Sequence, residues 1–166
     1  MEIANKKVLV IGLGLSGIST IKTLSSLKAD VYCYDDKEET ELVSVFEKIK
    51  DFKFKFIKNY KEYYFDFIVK SPGIKPINEV IKYFETKKVP IYTDLELAYS
   101  LFPKRKIIAI TGTNGKTTTT SLVGDIFKTA NIKSKVVGNI GIGMLWEIYN
   151  SDEETVNIIE VSSFQL

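Results

Sequence analysis

The chain has 166 residues, of which 45% are hydrophobic and 27% charged, with a net charge of +2. That is enough for one full domain, or for one plus part of another. The absence of histidine excludes imidazole ligands and bases, so any metal must sit on oxygen, as Mg²⁺ does.

A single cysteine, Cys33, excludes an internal disulfide and fits a reducing cytoplasm. No apolar run reaches the ~20 residues needed to span a bilayer. The opening "MEIANKK" lacks a charged-then-apolar export signal. Interspersed Lys and Glu argue against a nucleic-acid surface, so neither nucleic acid nor membrane is expected as a partner.

In chain order, Lys7–Ile11 is an apolar strand running into "GLGLSG". Ser16–Leu27 carries Ile18, Ile21, Leu24 and Leu27 at helical spacing. Val31–Tyr34 is a second strand ending in acids, and Glu38–Lys50 has Leu42, Val45, Phe46 and Ile49 on one helical face. Strands follow at Phe54–Ile57 and Phe67–Lys70, a helix over Pro76–Lys87, and a strand at Pro90–Tyr92. The aromatic-rich stretch from Phe52 to Phe67 reads as core and edge packing rather than a base-stacking platform. This alternation predicts a mostly parallel, doubly wound sheet.

A second unit begins near Thr93, where "TDLE" spells a capping box. Strands at Ile107–Thr111, Ser134–Val137 and Val156–Val161 alternate with helices at Lys116–Ala130 and Met144–Tyr149. The division is 1–93 and 94–166, the latter expected to be the opening part of a larger nucleotide-binding domain. A sheet stopping at three strands should leave an apolar edge and face open to self-association.

Two stretches carry phosphate chemistry. In "GTNGKTT" the glycines let backbone N–H groups close around phosphate oxygens at a helix N-terminus. Lys116 supplies charge for the outer phosphates and Thr117 a hydroxyl for Mg²⁺. The usual P-loop spacing would put its first glycine at Ile110, so the loop is shorter on that side. Glu160, closing the last strand, stands where such ATPases hold a carboxylate on Mg²⁺ or its water; a surface carboxylate is the plainer reading. The G-x-G-x-x-G of Gly12, Gly14 and Gly17, with Asp35 after the second strand, suits a dinucleotide. The same glycines suit another nucleotide, or only tight helix–strand packing. Ser71–Gly73 and the "GNIG" loop are turn chemistry at the sheet edge where α/β folds bind ligands.

Together "GLGLSG", "SPGI", "TDLEL", "ITGTNGKTTT", "GNIG" and "EVSSFQL", in that order over the whole chain, resemble the Mur ligases, the ATP-dependent amide-forming enzymes of peptidoglycan synthesis. "TGTNGKTT" is shared with folylpolyglutamate synthases, whereas "GLGLSG" and "SSFQL" resemble the D-glutamate-adding branch. The resemblance implies a Rossmann-like parallel-sheet domain for the UDP-sugar, then the first part of a P-loop ATPase α/β domain. It also implies a third domain, for the amino acid, that is expected to lie outside these residues. The implied substrates are UDP-N-acetylmuramoyl-L-alanine, D-glutamate and ATP, with Mg²⁺. In that family the alanyl carboxylate attacks the γ-phosphate, and the amine of D-glutamate then displaces phosphate from the acyl phosphate.

Carried over by residue, Thr113, Asn114, Gly115, Lys116, Thr117, Thr118 and Thr119 would cradle ATP, with Thr117 and Glu160 on Mg²⁺. Lys116 and Glu160 are the expected catalytic pair. Leu15, Ser16, Asp35, Asp36, Ser71, Pro72 and Gly73 would face the UDP part. Asn139, Ser162, Ser163 and Gln165 would line the path to the muramoyl-alanyl end. Many relatives have a small residue and an arginine after the strand-end aspartate, where this chain has Asp36 and Lys37. The family also uses a histidine and a modified lysine that this chain lacks, so it is not expected to ligate alone. An NAD-dependent oxidoreductase and a non-catalytic nucleotide-binding module are the competing readings.

Overall fold

The computed structural model describes residues 1–138 and 143–162. Lys7–Ile11 (β1) is the centre of the first sheet because Val8 to Ile11 are apolar on both faces and fully buried. Leu15–Ser26 (α1) returns the chain to Asp30–Tyr34 (β2), parallel to β1 with Val8 opposite Val31 and Ile11 opposite Tyr34. With Lys55–Phe56 (β3), Phe67–Lys70 (β4) and Ile91–Thr93 (β5), the order is β3-β2-β1-β4-β5, all parallel.

Alternate residues of β1 serve opposite layers, as a two-residue period requires. Val8 and Val10 join Ile21 and Leu24 of α1 and Ile49 of Val43–Ile49 (α2). Leu9 and Ile11 join Val80, Ile81 and Phe84 of Glu79–Thr86 (α3). Phe65 is buried edge-on to Tyr32 and Phe84, so the aromatic stretch packs the core. Burial first, and the charge of Asp35 second, push the Cys33 thiol up to about 12, so it stays protonated and unreactive.

Three elements depart most from the sequence expectation, the others by about one residue at an end. The Glu38–Lys50 helix is broken: Glu38 and Glu41 form a reciprocal capping box around a 3₁₀ turn at Glu39–Glu41, buried Leu42 leaves helical geometry, and α2 starts at Val43. Helix α3 starts at Glu79 because Asn78 caps it, accepting from the Val80 N–H at 2.9 Å. Strand β3 keeps only two of four expected residues.

Thr93 and Glu96 make the expected capping box for Asp94–Leu101 (α4), with Thr93 N donating to Glu96 at 2.7 Å and Glu96 N to Thr93 Oγ1 at 3.2 Å. Beyond it, Lys106–Ile110 (β6), Ser134–Gly138 (β7) and Val156–Glu160 (β8) form a parallel sheet in the order β6-β8-β7. Central β8 is buried throughout. Lys116–Thr129 (α5) lies over this sheet, with Gly124 so near Val136 that a Cβ would sit 2.5 Å from its methyl.

Met144–Tyr149 (α6) docks on the first unit. Its Met144, Leu145 and Ile148 share one core with Ile21 and Leu24, and its Trp146 N–H donates to Ser19 Oγ at 2.8 Å. Gly143 permits this approach, because a Cβ there would overlap Ser19 and stand 2.5 Å from the Leu15 carbonyl. No helix among the described residues is long and apolar enough to cross a membrane.

Candidate functional site

The first turn forms where β1 ends. Gly12 takes φ +87°, a left-handed conformation that favours glycine, and its N–H donates to the Tyr34 carbonyl at 2.9 Å. Ser71 closes the turn from β4, its Oγ donating to the Gly12 carbonyl at 2.8 Å and its N–H to that of Ile11 at 2.9 Å. Asp35, just past β2, accepts from Leu13 N at 2.7 Å and Lys37 N at 3.0 Å. Its carboxylate therefore holds the turn and the following loop together. Asp36 accepts from the Tyr34 hydroxyl at 2.9 Å; burial and this carboxylate push that phenol up to about 12, so it remains a donor.

The three glycines have different reasons to be there. Gly12 is required by φ, and a Cβ on Gly17 would overlap the Gly12 carbonyl oxygen. At Gly14 neither reason applies: φ is −75° and a Cβ would meet no atom within 4 Å. Gly73 likewise faces open space. Leu15, 48% exposed, stands at the same mouth with Ser16 and Pro72. Thus Leu15, Ser16, Asp35, Asp36 and Ser71–Gly73 all gather at the carboxyl ends of β1, β2 and β4, where open parallel sheets bind ligands.

The second turn follows β6. Gly115 caps α5 at φ +75°, again glycine geometry, and the first helical bond runs from Thr119 N to Gly115 O at 2.9 Å. The N–H groups of Lys116, Thr117 and Thr118 precede that ladder and point out of the helix end. Lys116 Nζ folds back onto the Gly112 carbonyl at 2.7 Å, while Thr113, Asn114, Thr118 and Thr119 are exposed. Thr117 Oγ1 donates to Glu160 Oε2 at 2.8 Å. Glu160 is buried at the end of β8, and Gly138 of β7 lies beside it in register. A Cβ on Gly138 would stand 2.5 Å from the Glu160 carbonyl, so only glycine admits both strands here.

Thr117 and Glu160 bring two oxygen donors together at the second turn; among the described residues no group of three or more acids or thiols could hold a metal. A hydroxyl and one carboxylate suit Mg²⁺, which keeps several waters and takes further oxygens from phosphates. Ser162 follows β8, half-buried. Asn139, Ser163 and Gln165 lie outside the described residues.

Beside the first turn is a cavity of about 30 Å³ lined by Leu15, Ser16, Pro72 and Asp94 of the first half of the chain and by Gly138, Gly143 and Met144 of the second. Asp94 lies in the "TDLEL" stretch of the family resemblance, but neither it nor Gly143 takes a site role from the sequence. An acid beginning a helix is ordinary, and a lone glycine before a helix even more so. Only the contacts across the two units expose them.

Residues 6–93 match the Mur ligase MurD-like N-terminal domain, and residues 110–166 the Mur ligase middle domain. The chain is 47% identical over 171 residues to the UDP-N-acetylmuramoylalanine--D-glutamate ligase of Thermoanaerobacter sp. (strain X514), covering all of this chain and 37% of that protein. The enzyme of the same name from Clostridioides difficile (strain 630) is 42% identical, again over all of this chain and 38% of the relative. The chain thus spans little more than a third of the length of the relatives it matches. Among solved structures, UDP-N-acetylmuramate-alanine ligase MurC from Thermotoga maritima covers 95% of this chain and 37% of its own length at 21% identity and a TM-score of 0.54. The Neisseria meningitides UDP-N-acetylmuramate:L-alanyl-gamma-D-glutamyl-meso-diaminopimelate ligase covers 97% of this chain and 55% of its own length at 18% identity and a TM-score of 0.58. These two speak for the fold. With more than half of its residues matched by the MurD-like domain and the middle domain following in order, the chain belongs to the Mur ligase family.

Proposed function

We propose that this chain is the N-terminal part of a cytoplasmic ligase of peptidoglycan precursor synthesis that joins D-glutamate to UDP-N-acetylmuramoyl-L-alanine using ATP. Residues 1–93 are the UDP-sugar unit and 94–166 the first part of the ATP-binding ligase domain. The observation that carries this reading is the Thr117–Glu160 bond, which sets a P-loop hydroxyl beside a strand-end carboxylate 43 residues away. That is the donor pair a nucleotide-bound Mg²⁺ needs.

Thr113 to Thr119 receive the ATP phosphates, and Lys116 exchanges the Gly112 carbonyl for an outer phosphate oxygen. Thr117 and Glu160 hold Mg²⁺. Gly14 and Gly73, whose missing side chains no packing explains, leave room for the UDP diphosphate, with Leu15, Ser16, Asp35, Asp36, Ser71 and Pro72 around it. Contact with the muramoyl-alanyl end of the substrate is assigned to Ser162 and, outside the described residues, to Asn139, Ser163 and Gln165. The substrate carboxylate takes the γ-phosphoryl group with release of ADP, and the amine of D-glutamate then displaces phosphate to form the amide. These steps need positioning and charge neutralisation more than covalent help from side chains. D-Glutamate binds to parts of the enzyme outside this chain.

Isothermal titration of the chain with UDP-N-acetylmuramoyl-L-alanine, ATP–Mg²⁺ and NADH tests the reading. Binding of the first two and not the third is expected; NADH alone would point to an oxidoreductase, and ATP without the UDP-sugar to a simple nucleotide module. In the same assay Glu160→Gln weakens ATP binding by at least about 10-fold with Mg²⁺ and leaves Mg²⁺-free binding unchanged. Equal affinities with Mg²⁺ would remove Glu160 from the metal site.

A further proposal concerns assembly. Leu122 and Ile126 of α5 are 57% and 55% exposed, and beside the same helix the exposed Ile132 and Val136 line an open groove. A second copy covers this face, so sedimentation of the chain should show a concentration-dependent dimer, reduced by Ile126→Lys. A monomer at every concentration counts against it.

A further inference from the structure

Asp94 is 2% exposed, and its Oδ2 accepts from Ser16 Oγ at 2.5 Å, a bond between residues 78 positions apart. Ser16 lies in the first turn of α1, whose ladder begins with Ile18 N donating to Gly14 O at 3.0 Å. Asp94 is the first residue of α4, where the helix end favours a carboxylate, and the Thr93–Glu96 box fixes that end. Both residues line the small cavity beside the first turn, with Pro72, Gly138 and Met144.

From this we infer that Asp94 is a positioning residue: through Ser16 it anchors the α1 turn whose backbone N–H groups receive the diphosphate. The inference rests on the UDP-sugar reading above. It carries a specific chemical consequence. A serine hydroxyl has one proton, and here that proton is directed at Asp94, so it is not available to a phosphate oxygen. The diphosphate oxygens are then met by the N–H groups of the turn, and Ser16 contributes by keeping that turn in place. A carboxylate beside an anionic ligand is tolerable in this arrangement because the hydroxyl stands between them.

Titration of the 166-residue chain with UDP separates this from its rivals. The expected result is that Asp94→Ala and Ser16→Ala each weaken UDP binding about tenfold. The double variant should be little worse than either, because most of the effect passes through one bond. Asp94→Asn, which keeps an acceptor oxygen for the Ser16 proton, should bind nearly as the unchanged chain does. Thermal melts establish that each variant is folded; if Asp94→Ala is not, Ser16→Ala and Asp94→Asn decide, the first weakening binding and the second not. Unchanged UDP binding by a folded Asp94→Ala would overturn the inference by removing Asp94 from the site, and tighter binding would overturn it by showing that Asp94 competes with phosphate for the Ser16 proton. Fully additive losses would overturn it too, by assigning the two residues independent roles. If the unchanged chain fails to bind UDP, the UDP-sugar reading itself falls and takes the inference with it.

Discussion

Lys116→Ala should lower ATP affinity by roughly 10- to 100-fold while leaving the melting temperature nearly unchanged. The ammonium lies at the loop surface with the Gly112 carbonyl at 2.7 Å, and α5 behind it buries only Thr120 among its fourteen residues. Little of the fold depends on it. A hydrogen bond to a charged group contributes ~1.5–3 kcal/mol, and each 1.4 kcal/mol is tenfold in affinity, which sets the expected range. Lys116→Arg should restore only part of the loss, because a planar guanidinium does not replace a compact ammonium in a glycine cradle. Titration with ATP–Mg²⁺ alongside thermal unfolding checks both halves. An unchanged ATP affinity would remove Lys116 from the nucleotide site.

Gly17→Ala should have the opposite profile, a large loss of stability. In an exposed helix interior alanine gains ~1 kcal/mol over glycine. Here the new methyl would overlap the Gly12 carbonyl oxygen and meet Ser71 Oγ at 3.3 Å. The obstruction is backbone in a turn already held by Gly12 at φ +87° and by the Ser71 bond, so it cannot swing aside. A net loss of about 3 kcal/mol is expected, lowering the melting temperature of a domain this size by roughly 10 °C or more. Gly14→Ala is the informative contrast. Its methyl meets nothing within 4 Å, so the fold should survive while UDP binding weakens. A Gly17→Ala chain that melts with the unchanged one would show that the turn can relax.

Much of this was legible in the amino-acid order. Apolar runs bounded by glycine or acids located β1, β2, β4 and β8 to within a residue, since strands buried on both faces need continuous apolar sequence. The Thr93–Glu96 box was readable because both partners lie within one helical turn. Helix ends were harder. Helices α1, α3 and α5 all finish in the same left-handed cap, but with Lys28, Lys88 and Asn131 in place of the usual glycine. The break at Leu42 was hidden because Leu42 fits the helical stripe, and only burying it in the core pulls it out of the helix.

The amino-acid order alone located two glycine turns, each leading into a helix, because glycine freedom and a helix start are local properties. It left open what the first turn is for: Gly12, Gly14 and Gly17 serve packing, a dinucleotide or a UDP-sugar equally well as letters. The tertiary structure decided which glycine does what, with Gly12 held by φ, Gly17 by contact and Gly14 by neither. It also brought together Thr117 with Glu160, Ser16 with Asp94 and Ser19 with Trp146, pairs 43, 78 and 127 residues apart. Such pairings are set by how the two sheets and their helices close on one another, and burial of shared apolar surface, not local preference, chooses that closure.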